Sequence, residues 1–357
     1  MDNVTINAAC NHLGYGQVGK NICKALSKLC NVSLFPIGNQ IDVEPEEVEF
    51  FNQLINNGQS QAKLNDPCVK IWHQHDLWNH ISNPYLAWTI FELDKFSELE
   101  LANLKFPDKL IVCSNWAKWV IHSNIPDMPY DKVHVVPLGV DRNIFCMPTT
   151  KSPETDIYKF FTIGKLEYRK GHDFIVDCFN KAFNGSSKVE LNMMVHNVFL
   201  KQDVINHWLG GFKNTKLGNK INFINPVKSH QDVADFINSQ DCGLFPAKAE
   251  GWNLELLESM ACGKPVIATN YSAHTEYCNS SNTFLIETPN KELAHDHMGG
   301  MWFHGQGSWA ELEYEQEEQM IEHMKKCYET RPVNLPGVET SKEFTWDNSA
   351  KKLLEVV

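Results

Sequence analysis

Short apolar runs, each closed by a polar or glycine-bearing turn and followed by apolar residues at helical spacing, recur along this chain, which is the alternation of a parallel α/β sheet. In the first half the pattern predicts buried strands over 4–9, 69–72, 85–90, 109–113 and 133–137. Helices are predicted from the first glycine turn to about Leu29, over 45–57 with Pro45 at a first helical position, and after Ser114. A polar stretch with two prolines, 147–156, reads as a connection. Beyond it, strands over 159–163, 191–195, 221–224 and 242–245 again alternate with helices. The expected fold class is α/β, two doubly wound Rossmann-like domains: 1–145, a linker over 146–157, 158–335, and a terminal helix over 336–357. Residues 295–309, rich in glycine and aromatics, predict a loop with His295 and His297 as a weak metal pair. The stretch 309–328 predicts an acidic helix with a solvated face.

Composition narrows the classes. The chain has 357 residues, 43% hydrophobic and 21% charged, with a formal net charge of −12. That acidity opposes a broad electrostatic grip on nucleic acid or anionic lipid. Eleven scattered cysteines form no C-x-x-C pair, so neither a disulfide framework nor a zinc site is expected. The first residues lack a basic segment followed by an apolar core, and no run approaches ~18 apolar residues. A soluble, cytoplasmic protein is therefore expected.

The most informative stretch is 241–276, DCGLFPAKAEGWNLELLESMACGKPVIATNYSAHTE. It reads as strand, loop and helix, the helix starting near Asn253. Loops at the carboxyl ends of parallel strands line ligand sites, and a helix N-terminus suits a phosphate. At ~100° per residue, Leu254, Leu257 and Ala261 share a stripe that includes Glu258 and leaves Glu255 outside. A carboxylate on that stripe needs a partner such as ribose hydroxyls, unless it is simply solvated at the edge. Glu250, in the loop, is free to address a sugar. In GKLEYRKG, Lys165 and Lys170 flank a strand-end glycine opposite a helix N-terminus, placed either to neutralise a diphosphate or to stand as plain surface cations.

In the first half, Gly14, Gly16 and Gly19 spell G-x-G-x-x-G between strand and helix. A dinucleotide site also wants an acid at the end of the next strand; VSLFPIGNQ supplies none, and Asp42 lies beyond it in a polar stretch. A tight turn at Gly14, Tyr15 and Gly16 that lets substrate approach the backbone is the preferred reading. His73 and His75 alternate at a strand end without an evident third metal ligand, and Glu92 follows another strand, where it either faces a ligand or caps the next helix.

Several of these runs resemble family 4 glycosyltransferases of the GT-B fold, two Rossmann-like domains facing a central cleft. Glu250 to Glu258 with SMACGKPVIAT and Glu276 resembles the family's E-x7-E signature; VVPLGVDRNIF resembles its P-x-G-V-D-x-x-x-F element, and FTWDNSAKKLLEVV its closing helix. The run HQHDLW resembles H-x-H-D-W with Leu77 inserted, and AWTIFELDKF resembles T-M-F-E-x-D. The resemblance implies that Glu250 lies by the donor sugar, Glu258 binds ribose, and the amides of Gly251, Trp252, Asn253 and Leu254 hold the diphosphate. It also implies that His75 with Asp76, or else His73, contacts the donor sugar from the first domain, that Glu92 lies on the acceptor side, and that 225–227 face the base. Lys165 replaces the family's Arg, Trp252 and Asn253 replace Phe-Gly, and Glu255 replaces a common Pro.

The expected function is retaining transfer of a sugar from a UDP- or GDP-sugar to an acceptor hydroxyl, with Glu250, His75, Lys165 and Lys170 as the catalytic set. No cofactor and no metal are expected, since no D-x-D motif is present. The acceptor stays open between glycan, lipid-linked sugar, protein, small molecule and a hydroxymethylated DNA base. An NAD-dependent oxidoreductase and a non-catalytic nucleotide-sugar binder are the alternatives from other classes.

Overall fold

The computed structural model describes residues 3–148, 156–227, 229–296 and 302–357. Most of the expected linker, 149–155, and His297 lie outside the described residues. The chain divides into two units: Met1–Phe91, Lys95–Gly139 and Phe344–Val357 form the first, Glu92–Asp94 and Val140–Glu343 the second.

The first unit carries strands β1 (Asn3–Cys10), β2 (Asn31–Ile41), β3 (Cys68–Ile71), β4 (Tyr85–Trp88), β5 (Lys109–Val112) and β6 (Val133–Val135). Between them lie helices α1 (Gly14–Leu26), α2 (Val48–Ser60), α3 (Glu98–Lys105) and α4 (Asn115–Asn124). All strand pairs are parallel, in the order β2-β1-β3-β4-β5-β6. Strand direction of crossover therefore reverses between β1 and β3. Helix α1 closes tightly on β1 because Gly19 has no side chain: a Cβ there would lie 2.1 Å from the Ala9 carbonyl oxygen.

The second unit holds β7 (Tyr158–Lys165), α5 (His172–Ala182), β8 (Val189–His196), α6 (Gln202–Lys213), β9 (Ile221–Phe223), α7 (His230–Asn238), β10 (Cys242–Phe245), α8 (Leu254–Ala261), β11 (Val266–Thr269) and β12 (Phe284–Ile286). Its parallel sheet runs β12-β11-β10-β7-β8-β9. Phe160, Leu191, Leu244 and Ile267, one from each of four strands, are fully buried and form a single core with Ile175 and Phe179 of α5. Burial of apolar side chains on both faces explains why these strands read as continuous apolar runs.

Two expectations are corrected beyond β12. His295 and residues 304–309 of the expected loop are strand residues, since β13 (Lys291–His295) and β14 (His304–Ala310) pair as an antiparallel hairpin. The acidic helix does not begin at Trp309, because that residue is a buried strand residue, and α9 spans Tyr314–Thr330. Along β14, Gly307, Trp309 and Ala310 are buried and His304 and Gln306 exposed.

Helix α10 (Leu335–Glu343) groups with the second unit and packs on α8, whereas α11 (Trp346–Val356) groups with the first and packs on α1. The return is locked at Gly139, where a Cβ would lie 2.2 Å from the Thr345 carbonyl carbon, and by Ser349 Oγ donating to the Pro137 carbonyl at 2.6 Å. Among the described residues no helix is long and apolar enough to cross a membrane.

Candidate functional site

In the second sheet β7 pairs with β8 on one side and β10 on the other, so the loops leaving β7 and β10 emerge side by side at a switch point of the sheet. Such points are where open α/β sheets bind ligands. The two loops are joined directly. The Lys248 amide donates to the Arg169 carbonyl at 2.7 Å, and Gly171, at φ 70°, sits where a Cβ would come within 2.7 Å of the Pro246 carbonyl oxygen.

At this junction lies a charge cluster. Arg169 Nη1 is 3.0 Å from Glu250 Oε2, and Lys170 Nζ is 2.8 Å from Glu250 Oε1. Arg169 also pairs with Glu167 at 3.0 Å, approaches Glu92 at 3.8 Å, and donates to the Ala249 carbonyl at 2.5 Å. Lys165 pairs with Glu167 at 2.7 Å and is the more exposed of the two lysines. Burial pushes the Glu250 carboxyl up, but the Arg169 and Lys170 charges outweigh it and hold it at about 2. Glu167 is likewise lowered, burial being outweighed by Arg169 and Lys165. Glu92 goes the other way: burial, with Glu250 and Glu167 nearby, raises it in spite of Arg169.

The loop from Glu250 to α8 is fixed from beneath. Asn253, at φ 79°, caps the helix by accepting from the Leu256 amide at 3.3 Å. Its side-chain nitrogen lies 2.9 Å from His274 Nε2, while His274 Nδ1 lies 3.0 Å from the Thr269 carbonyl. Burial holds His274 down at about 4, so the ring is neutral, donating from Nδ1 and accepting at Nε2. Tyr277 Oη lies 2.8 Å from the Trp252 carbonyl and 3.0 Å from that of Asn253. The first-turn amides of α8 are thereby held in one orientation, carrying about half a positive charge.

The helix itself corrects one detail. Its buried face is Leu256, Leu257, Met260 and Ala261, while Leu254 is half-buried, because the short helix packs between the sheet and α10. Glu258 therefore sits at the edge of that face, half-buried like Glu255. Burial and then the Glu255 charge push its carboxyl well above the usual range. The Trp252 side chain is buried, its ring centred 4.9 Å from that of Tyr277.

The β13–β14 hairpin lies against the same loops. Lys248 pairs with Glu292 at 2.5 Å, the Ala310 amide donates to the Lys248 carbonyl at 2.8 Å, and Trp309 packs 6.1 Å from Tyr168. Asp94 bonds both strands, taking the Ser308 amide at 2.8 Å and Lys291 at 3.0 Å.

Thus Lys165, Lys170, Glu250, Gly251, Asn253 and Glu92 come together. Arg169, Glu167 and His274 belong with them and were missed in the sequence. Arginine is scarce, occurring at Arg142, Arg169 and Arg331 alone, and that scarcity was the available signal for a residue whose planar charge serves several carboxylates.

The remaining candidates lie in the first unit, around the β1/β3 switch. Tyr15 Oη donates to the Ile90 carbonyl at 2.7 Å, and its ring lies 4.3 Å from His73, which stacks on His75 at 5.3 Å. Asp76 lies 3.9 Å from the buried Lys70, which also donates to the Asn79 carbonyl at 3.0 Å. Gly16 packs against Asn11, whereas Gly14 stands in open space. The structure does supply an acid after β2, contrary to the sequence reading: Asp42 follows Ile41 directly and lies 3.5 Å from His12. The order β2-β1-β3 nevertheless differs from the 3-2-1-4 order of dinucleotide folds, which the second sheet follows instead. Among the described residues no group of three His, Cys, Asp or Glu side chains is placed to hold a metal.

Comparison with known proteins accords with this geometry. Residues 149–299, which contain both switch-point loops, match the family model described as glycosyl transferases group 1. Mannosylfructose-phosphate synthase from Agrobacterium fabrum is 23% identical over 148 residues, 38% of this chain and 32% of that protein, so the chain spans about a third of that relative. Sucrose-phosphate synthase from Thermosynechococcus elongatus superposes with a TM-score of 0.72 at 13% identity, over 100% of this chain and 98% of that one. HepE from Anabaena, solved with UDP and glucose, gives 0.70 at 14% identity, over 99% and 98%. These likenesses establish the fold as GT-B, with two Rossmann-like domains.

Proposed function

We propose that this protein is a retaining glycosyltransferase that moves a sugar from a nucleoside diphosphate sugar to an acceptor hydroxyl. The observation that carries the reading is the meeting of Lys165, Arg169, Lys170 and the α8 N-terminus around Glu250 at the β7/β10 switch point. Three cations there face the two low-pKa carboxylates Glu167 and Glu250. Cleaving the bond between the anomeric carbon and the phosphate oxygen leaves a further negative charge on the diphosphate. Lys165, Lys170 and the fixed amides of 251–254 stabilise that charge without solvent reorganisation. Glu250, held ionised by Arg169, accepts sugar hydroxyls and orients the ring. Glu258 takes the ribose hydroxyls, which are the partners its half-buried carboxyl lacks.

In the proposed step the acceptor oxygen bonds to the anomeric carbon from the face the phosphate leaves, and the acceptor proton passes to the departing phosphate oxygen. No metal is required in this scheme. HepE was solved with UDP and glucose, so a UDP-sugar is the first donor to test.

The test is a thermal-shift panel of UDP, GDP, ADP, dTDP, CMP and NAD, followed by donor turnover with candidate acceptors. A ligand at ~100 times its dissociation constant adds ~2.7 kcal/mol. A shift with one nucleoside diphosphate and turnover of its sugar support the reading; a shift with NAD alone ends it.

A further inference from the structure

Beside the charge cluster, on the β8 side of Lys165, two large aromatic side chains face solvent. Phe199 is 45% exposed and Trp302 50% exposed. Their rings meet edge to face at 6.1 Å and 85°, and Lys165 Nζ lies 5.2 Å from the Phe199 ring. Exposed aromatics cost hydration free energy, and a pair of them at the ligand-binding edge of an α/β sheet calls for an occupant.

The loop that presents Phe199 is rigid. Lys165 and His196 are register partners at the ends of β7 and β8, and the Leu166 amide donates to the His196 carbonyl at 3.0 Å. The buried Asn197 then bridges the loops: its side-chain nitrogen donates to the Leu166 carbonyl at 3.0 Å, and its side-chain oxygen accepts from the Phe199 amide at 3.0 Å. Val198, 61% exposed, extends the same apolar surface. Trp302 arrives from the β13–β14 hairpin, whose strands are bonded to the β10 loop through Lys248.

We propose that Phe199 and Trp302 form the stacking platform for the nucleobase of the donor, with Lys165 taking the adjoining phosphate. This rests on the glycosyltransferase reading of the same site. A pyranose ring presents hydroxyls that each need a hydrogen-bond partner, and those partners are gathered around Glu250, Arg169 and Lys170 instead. The surface at Val198, Phe199 and Trp302 offers ring faces and apolar edges beside one cation, which suits a planar base with an attached phosphate.

The test is titration calorimetry of the full chain with the nucleoside diphosphate that the thermal panel selects, its sugar conjugate, and inorganic pyrophosphate. In Phe199→Ala and Trp302→Ala the nucleoside diphosphate is expected to bind about tenfold more weakly, the scale of losing one base stack, while pyrophosphate binding stays unchanged. Phe199→Tyr, which keeps a ring, is expected to bind as the wild type does. Saturation of the wild type should quench part of the tryptophan emission, a change lost in Trp302→Phe. Unchanged nucleoside diphosphate affinity in both alanine variants overturns the inference. So does an equal loss of pyrophosphate, which marks general damage to the pocket, or a loss confined to the sugar conjugate, which places the sugar on the platform. Wild-type protein that binds pyrophosphate but no nucleoside diphosphate overturns the glycosyltransferase reading as well; every other outcome leaves that reading standing.

Discussion

Arg169 and Glu250 meet at 3.0 Å with only 6% of each side chain exposed, although they leave different strands of the second sheet. A guanidinium and a carboxylate taken out of water this far stabilise the fold only as a matched set, since either alone is a buried charge.

Arg169→Ala is therefore expected to destabilise the second unit by about 3–5 kcal/mol, the usual cost of orphaning one member of a buried pair. The double replacement Arg169→Met with Glu250→Leu should recover part of that loss while abolishing turnover. Denaturant unfolding checks both, and a single variant within about 0.5 kcal/mol of wild type, the range of ordinary surface changes, would show that the pair is not structural.

Glu250 gives a signed pH dependence. Its folded pKa of about 2 lies below the unfolded carboxylate value, so its stabilisation is complete above about pH 4.5 and is lost as pH falls toward 2. On the order of 3 kcal/mol is involved, by the scale of 1.36 kcal/mol per pH unit. Melting curves between pH 5 and about 2 should fall less steeply for Glu250→Gln than for wild type; parallel curves would contradict the assignment.

Glu258 should behave in the opposite sense. Its raised pKa means that folding favours the protonated form, so the carboxylate costs stability as pH rises above the unfolded value. Glu258→Gln is expected to leave the melting temperature of the unliganded protein at pH 7 equal or higher, yet to weaken nucleoside diphosphate binding at least about tenfold, the trade-off of a functional residue. A variant that melts lower and binds normally would make Glu258 a structural acid.

Asn253 combines a left-handed backbone with a cap. Asn253→Gly keeps the φ freedom and loses the side-chain bonds to Leu256 and His274, whereas Asn253→Ala loses both. The alanine variant should be less stable than the glycine variant by about 1 kcal/mol, with both below wild type. Equal stabilities would mean that the left-handed conformation carries no strain.

The strands, the α/β class and the two-unit plan were legible because buried parallel strands and their crossover helices leave apolar runs that alternate with helical spacing. The placement of Lys165, Lys170, Glu250 and Asn253 at the ends of β7 and β10 was legible for a related reason, since the turn residues that close apolar strands stand out in the sequence. Arg169 was legible only through the scarcity of arginine, because its position beside Lys170 gives no sign of its partners. Its role appears when the β10 loop brings Glu250 and the Ala249 carbonyl against the β7 loop. The hairpin at 291–310 was misread because its pattern carries several glycines, and its strands are held by long-range partners such as Asp94 and Lys248.

The sequence by itself determined the periodicity, and with it which segments of the two parallel sheets become strands and helices and which strand-end turns carry Lys165, Lys170 and Glu250. Tertiary structure alone decided the strand order, β12-β11-β10-β7-β8-β9, and therefore which loops become neighbours. The reason is physical. Local spacing fixes the face a residue occupies, whereas the partners that shift a carboxyl to about 2, or hold an asparagine on a neutral histidine, come from strands paired across the sheet.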